Sequence, residues 1–225
     1  MDVLRELEEL AEEKYKQFNA KIIPTRQRTL GVRLPILRKF AKRIAKEDAL
    51  EFVHADKQNI YELILLEGLV LSYMNKPFME NLPLVERFLD KVDNWAQVDS
   101  TICVCKHIVH EKEQVLAVIK RWLTSEKEFV VRAGLVTLLA HYVEERYLPE
   151  IFSLAESVSH QGYYVKMANA WLISVCMAKF PEETLPFFQH NSLDDTTQHK
   201  AIQKCRESYR VSTEHKEVLL EYKRE

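Results

Sequence analysis

Val92-Asp93-Asn94-Trp95-Ala96-Gln97-Val98-Asp99-Ser100 reads as a chain turning into a helix. Asp93 and Asn94 are residue types that cap helix N-termini, because their side-chain oxygens accept backbone N–H groups that the first turn leaves unpaired. Apolar residues then recur at helical spacing to about residue 109. In such a helix Trp95 and Asp99 stand one above the other on one face. The indole offers a π-face that attracts cations and C–H groups, and the carboxylate offers a fixed negative charge. Taken alone, the pair is also what a half-buried core tryptophan beside a solvated aspartate looks like.

Similar helix starts recur along the chain. Helices beginning near residues 59, 94, 126, 163 and 194 each follow a shorter helical segment. Their starts lie roughly 31–37 residues apart, the period of a helical-hairpin solenoid. The full reading places helices at 2–19, 36–46, 47–55, 59–74, 78–90, 94–109, 111–124, 126–143, 145–159, 163–180, a short one from Pro181, 194–210 and 212–223. Leu4, Leu7, Leu10 and Ala11 form the apolar face of the first. Phe129, Ala133, Val136, Thr137 and Ala140 form the inner face of the helix at 126–143, with Arg132 beside it. The expected fold is all-α, an α-α superhelix of about six HEAT-like antiparallel pairs, read as a single domain over 1–225. Were the second helix of each pair to line one layer, Trp95, Asp99, Arg132 and Trp171 would all come from it.

Composition agrees. Apolar residues make up 47% of the 225, enough for a core, and only four are glycine. Alternating strand-like patterns are nearly absent. Cys103, Cys105, Cys176 and Cys205 form no CxxC pair and each sits in a helical apolar pattern, as reduced core thiols of a cytoplasmic protein would. The first thirteen residues are acidic and amphipathic, unlike a signal peptide. The apolar run at 63–73 is interrupted by Glu67 and is too short to span a bilayer.

The formal net charge is −2, so a nucleic-acid partner would have to be met by a local patch. One exists. The Pro24- and Gly31-broken segment 21–34 carries Lys21, Arg26, Arg28 and Arg33, and the next helix, with Pro35 near its start, adds Arg38, Lys39, Lys42, Arg43 and Lys46. A solvated helix face explains the helix charges well and the arginine-rich loop less well.

The separations then become specific. Asp93-Asn94-Trp95-x-x-Val98-Asp99-Ser100 is followed by Val131-Arg132 and later by Ala170-Trp171-Leu172. Near the N-terminus stands Gly31-Val32-Arg33-x-Pro35-x-Leu37-Arg38, and near the C-terminus Gln198–Arg210. Together these resemble the AlkD-type DNA alkylation repair family of HEAT-like proteins over nearly the whole chain. The resemblance implies a bacterial DNA glycosylase that acts on N3- and N7-alkylated purines in duplex DNA, as a monomer without metal or other cofactor. It implies that Asp99, Trp95 and Trp171 contact the lesion's deoxyribose, with Arg132 close by and Tyr15 as the nearest match to a contributing tyrosine of the first helix. Duplex contact is expected to rest on Arg26, Arg28, Arg33, Arg38 and Lys42. Two other readings stay open: a HEAT-like protein that binds distorted or branched DNA without excision, and a protein-binding α-solenoid.

Other candidates carry less. His107 and His110 are three apart but lack a nearby acid or cysteine set, so no metal site is expected. Cys103 and Cys105 point to opposite sides of a helix. Trp122 reads as core. Acids at 182–183 and 194–195 read as helix-start charges. No phosphate loop, dinucleotide fingerprint or nucleophile elbow is present.

Overall fold

A computed structural model describes residues 2–224. Its α-helices are α1 (Val3–Glu9), α2 (Glu13–Ile22), α3 (Leu34–Glu47), α4 (Ala49–His54), α5 (Tyr61–Tyr73), α6 (Phe78–Leu89), α7 (Trp95–Ile102), α8 (Lys112–Leu123), α9 (Glu128–His141), α10 (Leu148–Ser157), α11 (Tyr163–Lys179), α12 (Pro181–Gln189), α13 (Asp195–Glu207) and α14 (Thr213–Val218). Short 3-10 turns lie at Lys106–His110, Glu145–Tyr147 and Leu219–Tyr222. Among the described residues the only sheet-like pairing is an isolated bridge between Arg28 and Ile60. The fold class is all-α, as expected.

The chain forms two compact units that divide between Glu111 and Lys112. In the first, α3, α5 and α7 lie side by side, with α4 and α6 packed on α5. In the second, α9, α11 and α13 lie side by side, with α8 on α9, α10 and α12 on α11, and α14 on α13. Each unit therefore stacks its helices in the two-layer manner of an α-α solenoid. The layer helices start at Leu34, Tyr61 and Trp95 in the first unit and at Glu128, Tyr163 and Asp195 in the second. The period read from the sequence is the real one to within a few residues.

Helix α5 shows why the first unit holds together. Residues 61–72 are buried throughout, so the helix is apolar on every side and lies at the centre. It nevertheless carries Glu62 and Glu67, both fully buried. Glu67 accepts from the Lys91 Nζ with both oxygens at 2.6 Å and lies 3.5 Å from the Lys57 Nζ. Lys57 also donates to the Phe52 and Ala55 carbonyls at the end of α4. Burial pulls the Lys57 pKa below the usual lysine value, against the opposing pull of Glu67.

Close approach fixes the spacing of the layer at Gly68. A Cβ there would lie 2.5 Å from both the Phe88 ring of α6 and the Thr101 methyl of α7. Gly68→Val should therefore overpack this contact and cost roughly 1–3 kcal/mol. A urea midpoint equal to the parent's, at equal slope, would show that the neighbours yield freely.

Several boundaries differ from expectation, and specific contacts account for the differences. The helix expected at 2–19 is two helices. The chain leaves α1 at Leu10, and the Glu12 N–H is taken by the Gly31 carbonyl at 3.0 Å, so α2 restarts against the Gly31 turn. Gly31 has φ +102°, and a Cβ there would sit 2.7 Å from the Glu12 carbonyl oxygen. Leu10 and Ala11 are consequently exposed, and only Leu7 of the expected face is fully buried. The helix at Trp95 ends at Ile102 rather than near 109. The Thr101 hydroxyl donates back to the Gln97 carbonyl, and the Thr101 carbonyl accepts from the Ser72 hydroxyl. That early end leaves Cys103 exposed, against its assignment to the core. Cys105, Cys176 and Cys205 are buried, which pushes their thiols up to about 11, 12 and 12. Ala140, placed on an inner face, is also exposed, one residue before α9 ends. Trp122 is core, as read.

Candidate functional site

Helix α7 is built as its opening residues suggest. Asn94 is the N-cap, its side chain accepting the Gln97 N–H at 3.1 Å. Ala96, Gln97, Val98, Thr101 and Ile102 face inward and are buried. Trp95 and Asp99 share the opposite, half-exposed face one turn apart. The indole is fixed from outside the helix: Trp95 Nε1 donates to the Ile22 carbonyl at the end of α2, at 3.2 Å.

Asp93 does not cap α7 as the sequence suggested. Its carboxylate accepts from the Thr25 hydroxyl at 2.7 and 2.9 Å and from the Arg26 N–H at 2.7 Å, holding the start of the arginine-rich loop. The far end of that loop is held by Glu62, which accepts from the backbone N–H groups of Leu30, Gly31 and Val32 at 2.9, 2.7 and 3.3 Å. Between them, the Arg28 backbone bonds to Asn59 and Tyr61. Gln27 accepts from the Gln97 amide at 2.7 Å and donates to the Lys91 carbonyl at 2.9 Å. A segment that reads as irregular is thus fastened to α5 and α7 along its length.

The loop's arginines are partly engaged. Arg28 pairs with Glu8 at 3.0 Å, and Arg33 makes a two-pronged pair with Glu12 at 2.7 and 2.9 Å. Arg43 of α3 pairs with Glu6 at 2.9 Å. Hydrogen bonding to Arg33 holds the Glu12 carboxyl below its ordinary range and Arg33 above its own. The Arg33 guanidinium also lies over the Tyr15 ring, 4.9 Å from its centre. Arg26 is exposed and has no ion-pair partner among the described residues. Lys42 is exposed with its ammonium 5.4 Å from the Tyr73 ring centre, while the Nε of Arg38 is buried without an acceptor among the described residues. Trp95, Asp99, Tyr15 and all five basic candidates therefore belong to the first unit.

Arg132 and Trp171 belong to the second. Arg132 of α9 is buried at 6% exposure, and its Nη1 donates to the Tyr164 carbonyl in the first turn of α11 at 2.7 Å. Glu128, one turn earlier, accepts the Tyr164 N–H at 2.7 Å. Gly162 lies close beside it: a Cβ there would lie 2.4 Å from the Glu128 carboxylate, which would have to shift. Trp171 stands two turns along α11 from Tyr164 and is half-buried. Arg132 thus reaches the helix that carries Trp171, at its opening turn.

Residues 3–205 match the family profile described as DNA alkylation repair enzyme. The chain belongs to that family. Membership places it among DNA repair enzymes, with DNA as the partner, and covers both units and all four residues of the candidate constellation. No curated protein is similar enough to match.

The family match assigns no roles to individual residues. Among the described residues no group of three or more His, Cys, Asp or Glu side chains is arranged to hold a metal ion. Glu111, next to His110, uses its carboxylate on the Phe78 and Met79 N–H groups of α6. No helix of the described residues is long and apolar enough to cross a membrane. Sequence reasoning missed Glu62 and Asp93 as the holders of the loop. For Glu62 a signal existed: a carboxylate inside an otherwise apolar helix must find partners.

Proposed function

We propose that this repair enzyme is a DNA glycosylase that hydrolyses the N-glycosidic bond of N3- and N7-alkylated purines in duplex DNA, with residues 1–225 working as one functional domain and as a monomer. The observation that carries this reading is the placement of Asp99 one turn from an indole that is itself held in position by the Ile22 carbonyl. When the C1′–N bond breaks, both electrons leave with the purine and cancel the positive charge that alkylation gave it. The sugar is left oxocarbenium-like. Water then adds to C1′ and loses a proton, leaving an abasic site.

Each residue type has a task in that sequence. The Asp99 carboxylate stabilises the developing positive charge, as carboxylates do in glycoside hydrolysis, and orients the incoming water. The Trp95 and Trp171 faces pack on the deoxyribose of a cationic nucleotide. Arg132, buried and bonded to the Tyr164 carbonyl, positions the opening turn of the helix that carries Trp171. An N-alkylated purine is already a good leaving group, so the chemistry asks for neither a strong acid nor a metal. The decisive experiment incubates the purified chain with methylated duplex DNA and measures free alkylpurine. Duplex binding without release of any base would leave the non-catalytic DNA-binding reading in its place.

Affinity should come mainly from the cations that have no carboxylate partner. Replacing Arg26 or Lys42 with Ala should flatten the dependence of log affinity on log salt by roughly one unit each, the effect of one neutralised phosphate. Arg28 and Arg33 must exchange Glu8 and Glu12 for phosphate, so their replacement should change the slope less. Equal slopes for parent and the Arg26→Ala, Lys42→Ala double variant would show that the patch is a solvated face.

A further inference from the structure

Helix α2 turns an unusual face to solvent. At 100° per residue, Lys14, Tyr15, Phe18, Lys21 and Ile22 fall within one third of its circumference. Phe18 is 56% exposed and Ile22 47%, values that a soluble helix seldom gives to adjacent large apolar side chains. Tyr15 and Phe18 are stacked, ring centres 6.4 Å apart and planes 25° apart. Neither Lys14 nor Lys21 has an ion-pair partner among the described residues, and both are exposed. No acid of α2 lies on this arc. Glu13 stands on the far side, bonded to Gln17. The face runs directly into the candidate site, because the Ile22 carbonyl is the group that holds the Trp95 indole.

We infer that this face is a stacking surface for a base displaced from the duplex at the lesion. The inference rests on the DNA repair reading above. A pair of stacked rings flanked by cations matches a base flanked by its two phosphates. An intact duplex hides its base faces, whereas a lesion with weakened stacking exposes one. Phe18 stacks on that base, Ile22 packs on the adjoining sugar, and Lys14 and Lys21 meet the flanking phosphates. The contact favours distorted over regular DNA without reading sequence, and it brings the distortion beside Trp95.

The test compares binding of the full chain to two duplexes of one sequence, one intact and one carrying a tetrahydrofuran abasic analogue opposite 2-aminopurine. The parent should prefer the abasic duplex and quench the 2-aminopurine. Phe18→Ala should lose roughly tenfold in affinity for the abasic duplex, the scale of one base–aromatic stack. It should leave affinity for the intact duplex unchanged and abolish the quench. Because Phe18 is exposed, the variant should keep the parent's circular dichroism and melting. Lys14→Ala and Lys21→Ala should weaken both duplexes alike and flatten their salt dependence. If Phe18→Ala matches the parent on both duplexes, or weakens both equally, the stacking surface is wrong while the repair reading stands. If the parent binds neither duplex, the repair reading falls and this inference with it.

Discussion

Asp99→Asn is expected to release alkylpurine roughly 10²–10³-fold more slowly than the parent, the usual effect of removing a preorganised charge from a transition state. The substitution keeps the size and planar shape of the side chain, removes its charge and turns one acceptor oxygen into an N–H donor. Asp99 stands on the half-exposed face of α7, away from the buried residues that anchor the helix. Fold and duplex affinity should therefore survive, and the loss should fall on the rate of excision. Single-turnover release from methylated duplex, measured beside binding to the same duplex, separates the two. A variant that excises at the parental rate would remove Asp99 from the chemistry. A variant that loses binding and rate together would make it a positioning group for DNA.

Glu62→Ala should have the largest effect on stability. Three backbone N–H groups at Leu30, Gly31 and Val32 give their hydrogen bonds to this one fully buried carboxylate. Each unsatisfied buried donor costs about 1–3 kcal/mol, and partial relaxation of the loop toward water sets the total at about 3–5 kcal/mol. Glu62→Gln keeps an acceptor and should fall between parent and alanine variant. Because the freed segment carries Arg33 and adjoins α2, duplex affinity should weaken in the same order. A Glu62→Ala midpoint in urea indistinguishable from the parent's would mean that the loop holds itself without the carboxylate.

How much of this was legible in the sequence depends on the range of the forces involved. Helix class and period were legible because they follow from apolar spacing within a turn or two, and the layer helices begin where that spacing predicts. Asn94 as the N-cap was legible for the same reason. What failed was set by distant partners. The break at Leu10–Glu12 comes from Gly31, and the early end of α7 involves Ser72. Asp93 has the chemistry of a cap and serves a loop 67 residues away. The pairing of Arg28 and Arg33 with the acidic first helices was likewise invisible, since charge counts do not show which opposite charges meet. The family match identifies the family of the chain and assigns no role to any of its side chains.

The way the arginine-rich loop is held has a further consequence. Apart from the Thr25 hydroxyl that Asp93 also holds, Asp93 and Glu62 grip main-chain N–H groups, at Arg26 and at Leu30 to Val32, and none of the arginine side chains. Any residue with a backbone N–H satisfies them equally. Gly31 is committed by its positive φ and its contact with Glu12, and Thr25 and Gln27 by the side-chain bonds they make to Asp93, Gln97 and Lys91. The side chains at 26, 28 and 33 are therefore interchangeable parts mounted on a fixed bracket. Such a loop lets charge and contact pattern diversify between descendants while the path of the chain stays the same, which separates the evolvability of what is recognised from the persistence of the scaffold that presents it.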